Sequence, residues 1–146
     1  MMDKHTKFIY SPDGHITICE RRIHNQVFTG VSKCHPADYD FESKLVGEHY
    51  AYMRAMIKEI AARRDAKREE LRALKHLYNI LEQNDKVNKE SIECYTIRRQ
   101  IKNIEEEIED LRELIRITKL ELRATIIAKD TYYKKIRESR GKKDAG

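Results

Sequence analysis

Two sets of residues in this sequence are of types that could do chemistry. The first is His15, Cys19, His24, Cys34 and His35, all in the N-terminal quarter of the chain. A zinc site built from such residues uses tight pairs, of the C-x2-C kind, so that two ligands reach one ion from one turn. No such pair is present, so these read as strand and loop residues, and no metal or cofactor is expected. The carboxylates from Glu105 to Asp110 recur at helical spacing, which makes them a solvated flank rather than an acid–base pair. No nucleophile–base constellation is visible either, so no catalytic residues are expected and the chain does not read as an enzyme.

The second set is basic. Arg21 and Arg22 close a strand-like segment. Lys129, Lys134, Lys135, Arg137, Arg140, Lys142 and Lys143 crowd the end of a long helical segment, with Tyr132 and Tyr133 among them. Arginine and lysine hold phosphates, and tyrosine rings stack on bases. The competing reading is a basic last turn that complements the helix dipole and keeps the chain soluble. On the first reading the candidate ligand-binding residues are Arg21, Arg22, Tyr132, Tyr133, Lys134 and Arg137. The net charge of +5, from 30 basic and 25 acidic residues, permits an anionic partner without demanding one.

These groups need elements to hold them. Phe8-Ile9-Tyr10, the turn Ser11-Pro12-Asp13-Gly14, the alternating His15–Cys19, a turn at His24-Asn25-Gln26 and Val27–Ser32 predict a three-stranded antiparallel meander. Ile16 and Ile18 share one of its faces. Pro36 and the acids Asp38 and Asp40 mark the start of a helix from about Phe41 to Gln83. Gly47 inside that helix points to a close backbone approach to the sheet, and Cys34 is expected to pack beneath it. After the turn Asn84–Asn88, with Asn88 or Ser91 as cap, a second helix runs to about Ser139 and leaves residues 141–146 to fray. The fold class is α+β and mostly α: a small sheet head at 1–40, completed by helix to about residue 60, and a two-helix hairpin over 41–140.

The second helix carries a heptad repeat. Cys94, Ile101, Ile108, Ile115 and Leu122 form one row, and Ile97, Ile104 and Leu111 the other, continued by Thr118 and Thr125. The first helix answers with Met53, Ile57, Ile60, Leu71, Leu74, Tyr78 and Leu81. A short turn makes the helices antiparallel, with facing residue numbers adding to about 173. That places Arg63, Arg64, Lys67 and Arg68 opposite Asp110, Glu109, Glu106 and Glu105. It also leaves Ile104, Ile108, Leu111 and Ile115 facing the polar middle of the first helix, which predicts a homodimer or higher oligomer covering them.

The stretch Gly30-Val31-Ser32-Lys33-Cys34-His35-Pro36-Ala37-Asp38-Tyr39-Asp40, with Val46-Gly47-Glu48 and Ala51–Ala55, resembles a family of small uncharacterised bacterial domains described as similar to the double-stranded-RNA-binding fold. The resemblance covers about residues 6 to 60 and implies strands, a Pro-Ala-Asp linker and a helix. It carries no catalytic residues. The layout of head and long hairpin looks like accessory proteins of bacteriophages, including ones that antagonise host defences.

Odd-numbered, unpaired cysteines (Cys19, Cys34, Cys94) and the lack of a long apolar run predict a soluble chain in the cytoplasm, the host's if phage-encoded, with no membrane partner. In the hairpin the basic tail returns to the head, near His49, Tyr50 and Tyr52. The expected function is an oligomeric binding or antagonist protein that sequesters an anionic, nucleotide-like ligand or blocks a protein partner. The alternatives are a nucleic-acid-binding module and a purely structural coiled-coil assembly protein.

Overall fold

A computed structural model describes residues 4–41, 43–84 and 86–145, with side chains as far as residue 141. Asp85 of the inter-helix turn, the side chains of Lys142 and Lys143, and Gly146 of the expected tail lie outside the described residues. Strands β1 (Thr6–Tyr10), β2 (Ile16–Ile23) and β3 (Gln26–Lys33) form an antiparallel sheet in the order β1-β2-β3. The Gly14 amide donates to the Ser11 carbonyl at 2.9 Å, and Gly14 takes φ 78°, which an L side chain would resist.

Register gives the sheet two unlike faces. The rows Thr6–Arg21–Phe28, Phe8–Cys19–Gly30 and Tyr10–Thr17–Ser32 share one face, whose middle residues are buried. Ile9, Ile18 and Val31 make a row on the other face, where Ile9 and Val31 stay exposed. Ile16 and Ile18 do share a face, but it is this outer one. The centre of the covered face, at Thr17, Cys19 and Gly30, is built from small residues, and a helix backbone lies directly on it.

That helix is α1 (Lys44–Gln83). Its cap is Ser43, whose Oγ accepts from the Val46 amide at 3.4 Å. The expected start at Phe41 gives way to a 3-10 turn over Pro36–Phe41, because Asp38 bonds elsewhere instead of capping. Ala51 and Ala55 pack on Cys19, with Phe8 and Tyr52 beside them. Gly47 belongs to the same small-residue stripe: a Cβ there would lie 2.8 Å from Thr17 Oγ1. Cys19, not Cys34, is therefore the thiol beneath the helix, and Cys34 is half-buried. Arg54 Nη1 donates to the Val31 carbonyl at 2.7 Å and so occupies an acceptor on the edge strand β3.

The second helix, α2 (Ile92–Ala145), is capped by Ser91, whose Oγ accepts from the Cys94 amide at 3.2 Å. It continues past the expected end at Ser139, since Gly141 alone costs a helix only about 1 kcal/mol. No helix among the described residues is long and apolar enough to cross a membrane.

The chain divides into two compact units, one of Met1–Glu59 with Ile117–Gly146 and one of Ile60–Arg116. Within the second unit the covered positions of α1 step through Ile60, Arg64, Lys67, Leu71, Leu74, Tyr78 and Leu81, and those of α2 through Cys94, Ile97, Ile101, Ile104, Ile108, Leu111 and Ile115. Both follow the alternating three- and four-residue steps of an antiparallel coiled-coil seam. Lys67 Nζ meets Glu107 at 2.9 Å, one position from the expected partner Glu106. Arg64 and Arg68 do not cross the seam; both turn to Asp65 on their own helix, at 3.2 and 3.4 Å.

The expected oligomer interface is corrected by burial. Ile104, Ile108 and Ile115 are only 6%, 6% and 7% exposed within the single chain, and Leu111 is half-buried. The polar middle of α1 does cover them, because the aliphatic stems of Arg64 and Lys67 lie in the seam while their charges reach the solvent. These four residues belong to the hairpin core.

The seam of α2 also changes phase. After Thr118 and Leu122 the covered positions are Ile126, Lys129, Tyr133 and Ile136, so two four-residue steps follow one another. Thr125, expected in the seam, is exposed and its Oγ1 donates to the Glu121 carbonyl at 2.8 Å. This one-residue shift decides which of the neighbouring tyrosines faces inward.

Candidate functional site

The candidate site lies in the unit that holds the sheet. Three elements meet there: the Tyr10–Thr17–Ser32 end of the sheet, the first turns of α1 and the last third of α2. Gly47 lets α1 approach Thr17, and the phase shift in α2 turns Tyr133 toward them, beside Lys129. Between these elements is a cleft of about 370 Å³, whose lining includes Tyr10, His15, Lys33, Lys44, Tyr50, Lys129 and Tyr133.

Most of the wall residues are held. The Tyr50 hydroxyl donates to the Thr125 carbonyl at 3.4 Å, and the Tyr133 hydroxyl donates to the Phe41 carbonyl at 3.0 Å. Tyr133 stacks on Phe41 with centroids 5.0 Å apart, and His15 stacks on Tyr39 at 3.7 Å. Lys129 Nζ sits 5.5 Å from the Tyr50 ring and 5.6 Å from the Tyr133 ring. Lys44 Nζ sits 4.5 Å from the Tyr10 ring. Burial pushes the Tyr50 and Tyr133 phenols above their ordinary pKa, so both stay protonated and can donate hydrogen bonds at neutral pH.

Asp38 is the fixed point of this wall. Its carboxylate is buried and accepts from Arg137 Nη1 at 2.7 Å, with Lys129 Nζ at 4.0 Å. Arg137 also donates to the Ala37 carbonyl at 3.1 Å. Lys33 and Lys44 have no ion-pair partner among the described residues, so they are the cations open to an anion. A second, more polar groove of about 500 Å³ shares Lys33, Asp38, Tyr50 and Lys129, and adds Arg54, Lys134 and Arg137.

The six expected ligand residues thus separate. Tyr133, Lys134 and Arg137 line the cleft or the adjoining groove. Tyr132 does not; it is 62% exposed, because the phase shift puts Tyr133 in its place. Arg21 and Arg22 cannot serve one surface, since successive strand residues point to opposite faces. Arg21 is 6% exposed and its Nε lies 2.9 Å from Glu59 Oε2, while Arg22 is exposed on the outer face. Arg21 is therefore a buried structural cation rather than a ligand contact. Of the aromatic residues expected at the junction, Tyr50 lines the cleft, His49 is exposed, and Tyr52 lies against Arg21.

Sequence reasoning missed Tyr10, His15, Lys33, Lys44 and Asp38. Tyr10, Lys33 and Lys44 sit at element ends, where spacing carries no signal. The turn residue His15 reads as a metal-ligand candidate without a paired ligand, and the linker residue Asp38 as a helix start. Among the described residues no three His, Cys, Asp or Glu side chains are grouped as metal ligands.

Tyr10 offers a spectroscopic check of the cleft mouth. Burial, reinforced by donation to the Glu48 carboxylate, pushes its pKa up to about 12. Its folded-state pKa exceeds that of the unfolded chain, so its contribution to stability is complete below the ordinary phenol range and is lost as pH rises through about 12. Phenolate absorbance at pH 11 should be nearly the same for the wild type and Tyr10→Phe, with a difference emerging only near 12. A full tyrosine's difference already present at pH 11 would show that this hydrogen bond is absent in solution.

Comparison with known protein families, curated proteins and solved structures finds no match to this chain.

Proposed function

We propose that this chain is a non-catalytic binding protein whose cleft takes up a small anionic aromatic ligand of the nucleotide type. The observation that carries the reading is a cleft of about 370 Å³ that combines the rings of Tyr10, Tyr50 and Tyr133 with the cations Lys33 and Lys44, which have no ion-pair partner among the described residues. Its size falls in the range of about 300–1,000 Å³ usual for small-molecule sites. A planar base is attracted to tyrosine faces, and a phosphate to Lys33 and Lys44 at the rim. The adjoining groove, with Arg54 and Lys134, extends the cationic wall far enough for a second phosphate. Sequestration is the activity this reading gives the cleft, with its rings and cations binding and orienting the ligand.

A panel of mono-, di- and cyclic nucleotides tested by calorimetry and thermal shift examines this directly. The matching nucleotide should bind stoichiometrically and, at a hundred times Kd, stabilise the fold by about 2.7 kcal/mol. Lys33→Ala/Lys44→Ala should weaken binding at least about tenfold, because two charge-assisted contacts are lost. Chromatography after prolonged incubation should return the nucleotide unchanged. No shift with any nucleotide at millimolar concentration would reject the reading. Oligonucleotide binding that collapses between about 50 and 200 mM salt, without nucleotide binding, would replace it with the nucleic-acid alternative.

A further inference from the structure

The seam of α2 faces α1, so its opposite side faces outward. Along that outer side the positions Tyr95, Arg99, Lys102, Glu106, Glu109 and Glu113 follow one another in steps of four and three, and all are exposed. The charges are ordered: cations come first and anions second, with the change of sign at the level of residue 104. Arg98 and Asp110 flank the two halves in the same sense.

Most of these charges are also uncommitted. Among the described residues the side chains of Arg98, Arg99, Lys102, Glu106 and Asp110 form no ion pair or hydrogen bond, and Glu109 has only Arg112 at 3.7 Å. Glu113, at the end of the stripe, does find a partner in Arg116, as Arg72 does in Glu69 elsewhere on the helices. An intrahelical Lys102–Glu106 pair would have lysine N-terminal to glutamate, the weaker of the two orders.

We infer that the outer face of α2 is an interaction surface for a second copy of this chain, paired antiparallel about a two-fold axis at the level of residue 104. That arrangement sets Lys102 opposite Glu106 of the second copy and Arg99 opposite Glu109, and the two-fold axis repeats each pair. Parallel pairing would instead set Arg99 on Arg99 and Lys102 on Lys102, so the charge order selects the antiparallel partner. The inference is independent of the ligand cleft, whose residues lie elsewhere on the chain.

The test is sedimentation equilibrium of the full chain at about 25 and 500 mM NaCl, since exposed pairs are screened at high salt. Association should be present at low salt and weaken at least about tenfold at high salt. Lys102→Glu and Glu106→Lys each place like charges face to face, so each alone should weaken association at least about tenfold. The double variant restores opposite charges and should associate to within about threefold of wild type. The two single variants mixed together should associate with each other. Unchanged circular dichroism at these exposed positions would confirm that the fold is intact. A chain monomeric at low salt and several hundred micromolar would overturn the inference, as would a double variant no better than the singles. So would a wild-type chain that binds oligonucleotide through Arg99 and Lys102 with no self-association, which would assign the cations to nucleic acid.

Discussion

Gly30→Ala is expected to destabilise the protein by about 3 kcal/mol or more, among the largest effects of any single methyl group in this chain. An ideal Cβ at this position would lie 2.0 Å from the Ala51 carbonyl oxygen and 2.5 Å from the Ala55 amide nitrogen. Both are helix backbone atoms, so no side-chain rotation relieves the clash. Either β3 must leave α1 or the helix must lift from Cys19, and the tight seat of the sheet is lost either way. Urea denaturation gives the loss of stability, and ligand affinity should fall with it because Ser32 and Lys33 ride on the same strand. Gly47→Ala is the matched control. Its Cβ would meet only the Thr17 side chain, at 2.8 Å from Oγ1, which can rotate away. The gain in helix propensity of about 1 kcal/mol offsets much of that cost. Equal stability of Gly30→Ala and wild type would show that sheet and helix are not packed this closely.

Glu59→Gln should cost about 3 kcal/mol, because it removes the carboxylate charge that faces the buried Arg21 guanidinium. The side chains of this pair are 8% and 13% exposed, and the Nε–Oε2 distance is 2.9 Å. Thr6 Oγ1 at 2.7 Å from Arg21 Nη1 and the Tyr52 ring at 5.1 Å hold part of the cation's environment, which keeps the loss from being larger. Replacing both members with apolar residues, Arg21→Met/Glu59→Leu, should recover most of the stability, since neither charge then needs to be desolvated. Arg22→Ala, one residue away on the outer face, should change stability by less than about 0.5 kcal/mol. Thermal and urea midpoints of these three variants separate a buried structural pair from a pair of ligand-binding arginines. Similar, small effects of Glu59→Gln and Arg22→Ala would contradict the assignment of Arg21 to the core.

The two predictions involve residues whose roles the sequence leaves open, and the reason is the same in both. Alternation along β2 says that Arg21 and Arg22 point to opposite faces, but not which face a helix will cover. The more apolar row, with Ile16 and Ile18, is the one left outside. The helix lies on Thr17, Cys19 and Gly30 because only small residues admit its backbone, and closeness of approach is a property of two surfaces together. Tyr132 and Tyr133 pose the same problem on α2. A heptad extended from Leu122 turns Tyr132 inward, and one extra residue in the step to Ile126 turns Tyr133 inward instead.

What the amino-acid order determined unaided was local: the strands and their turns, the two helices, the antiparallel return and the core row from Cys94 to Ile115. These follow from periods of two and of three and a half residues, which short windows of sequence display. Only the tertiary structure decided the covered face of the sheet, the phase of the last third of α2, and hence the cleft that unites Tyr10, Lys44, Tyr50 and Lys129. Those outcomes depend on fitting surfaces distant along the chain, and no periodicity within one segment encodes the shape of its partner.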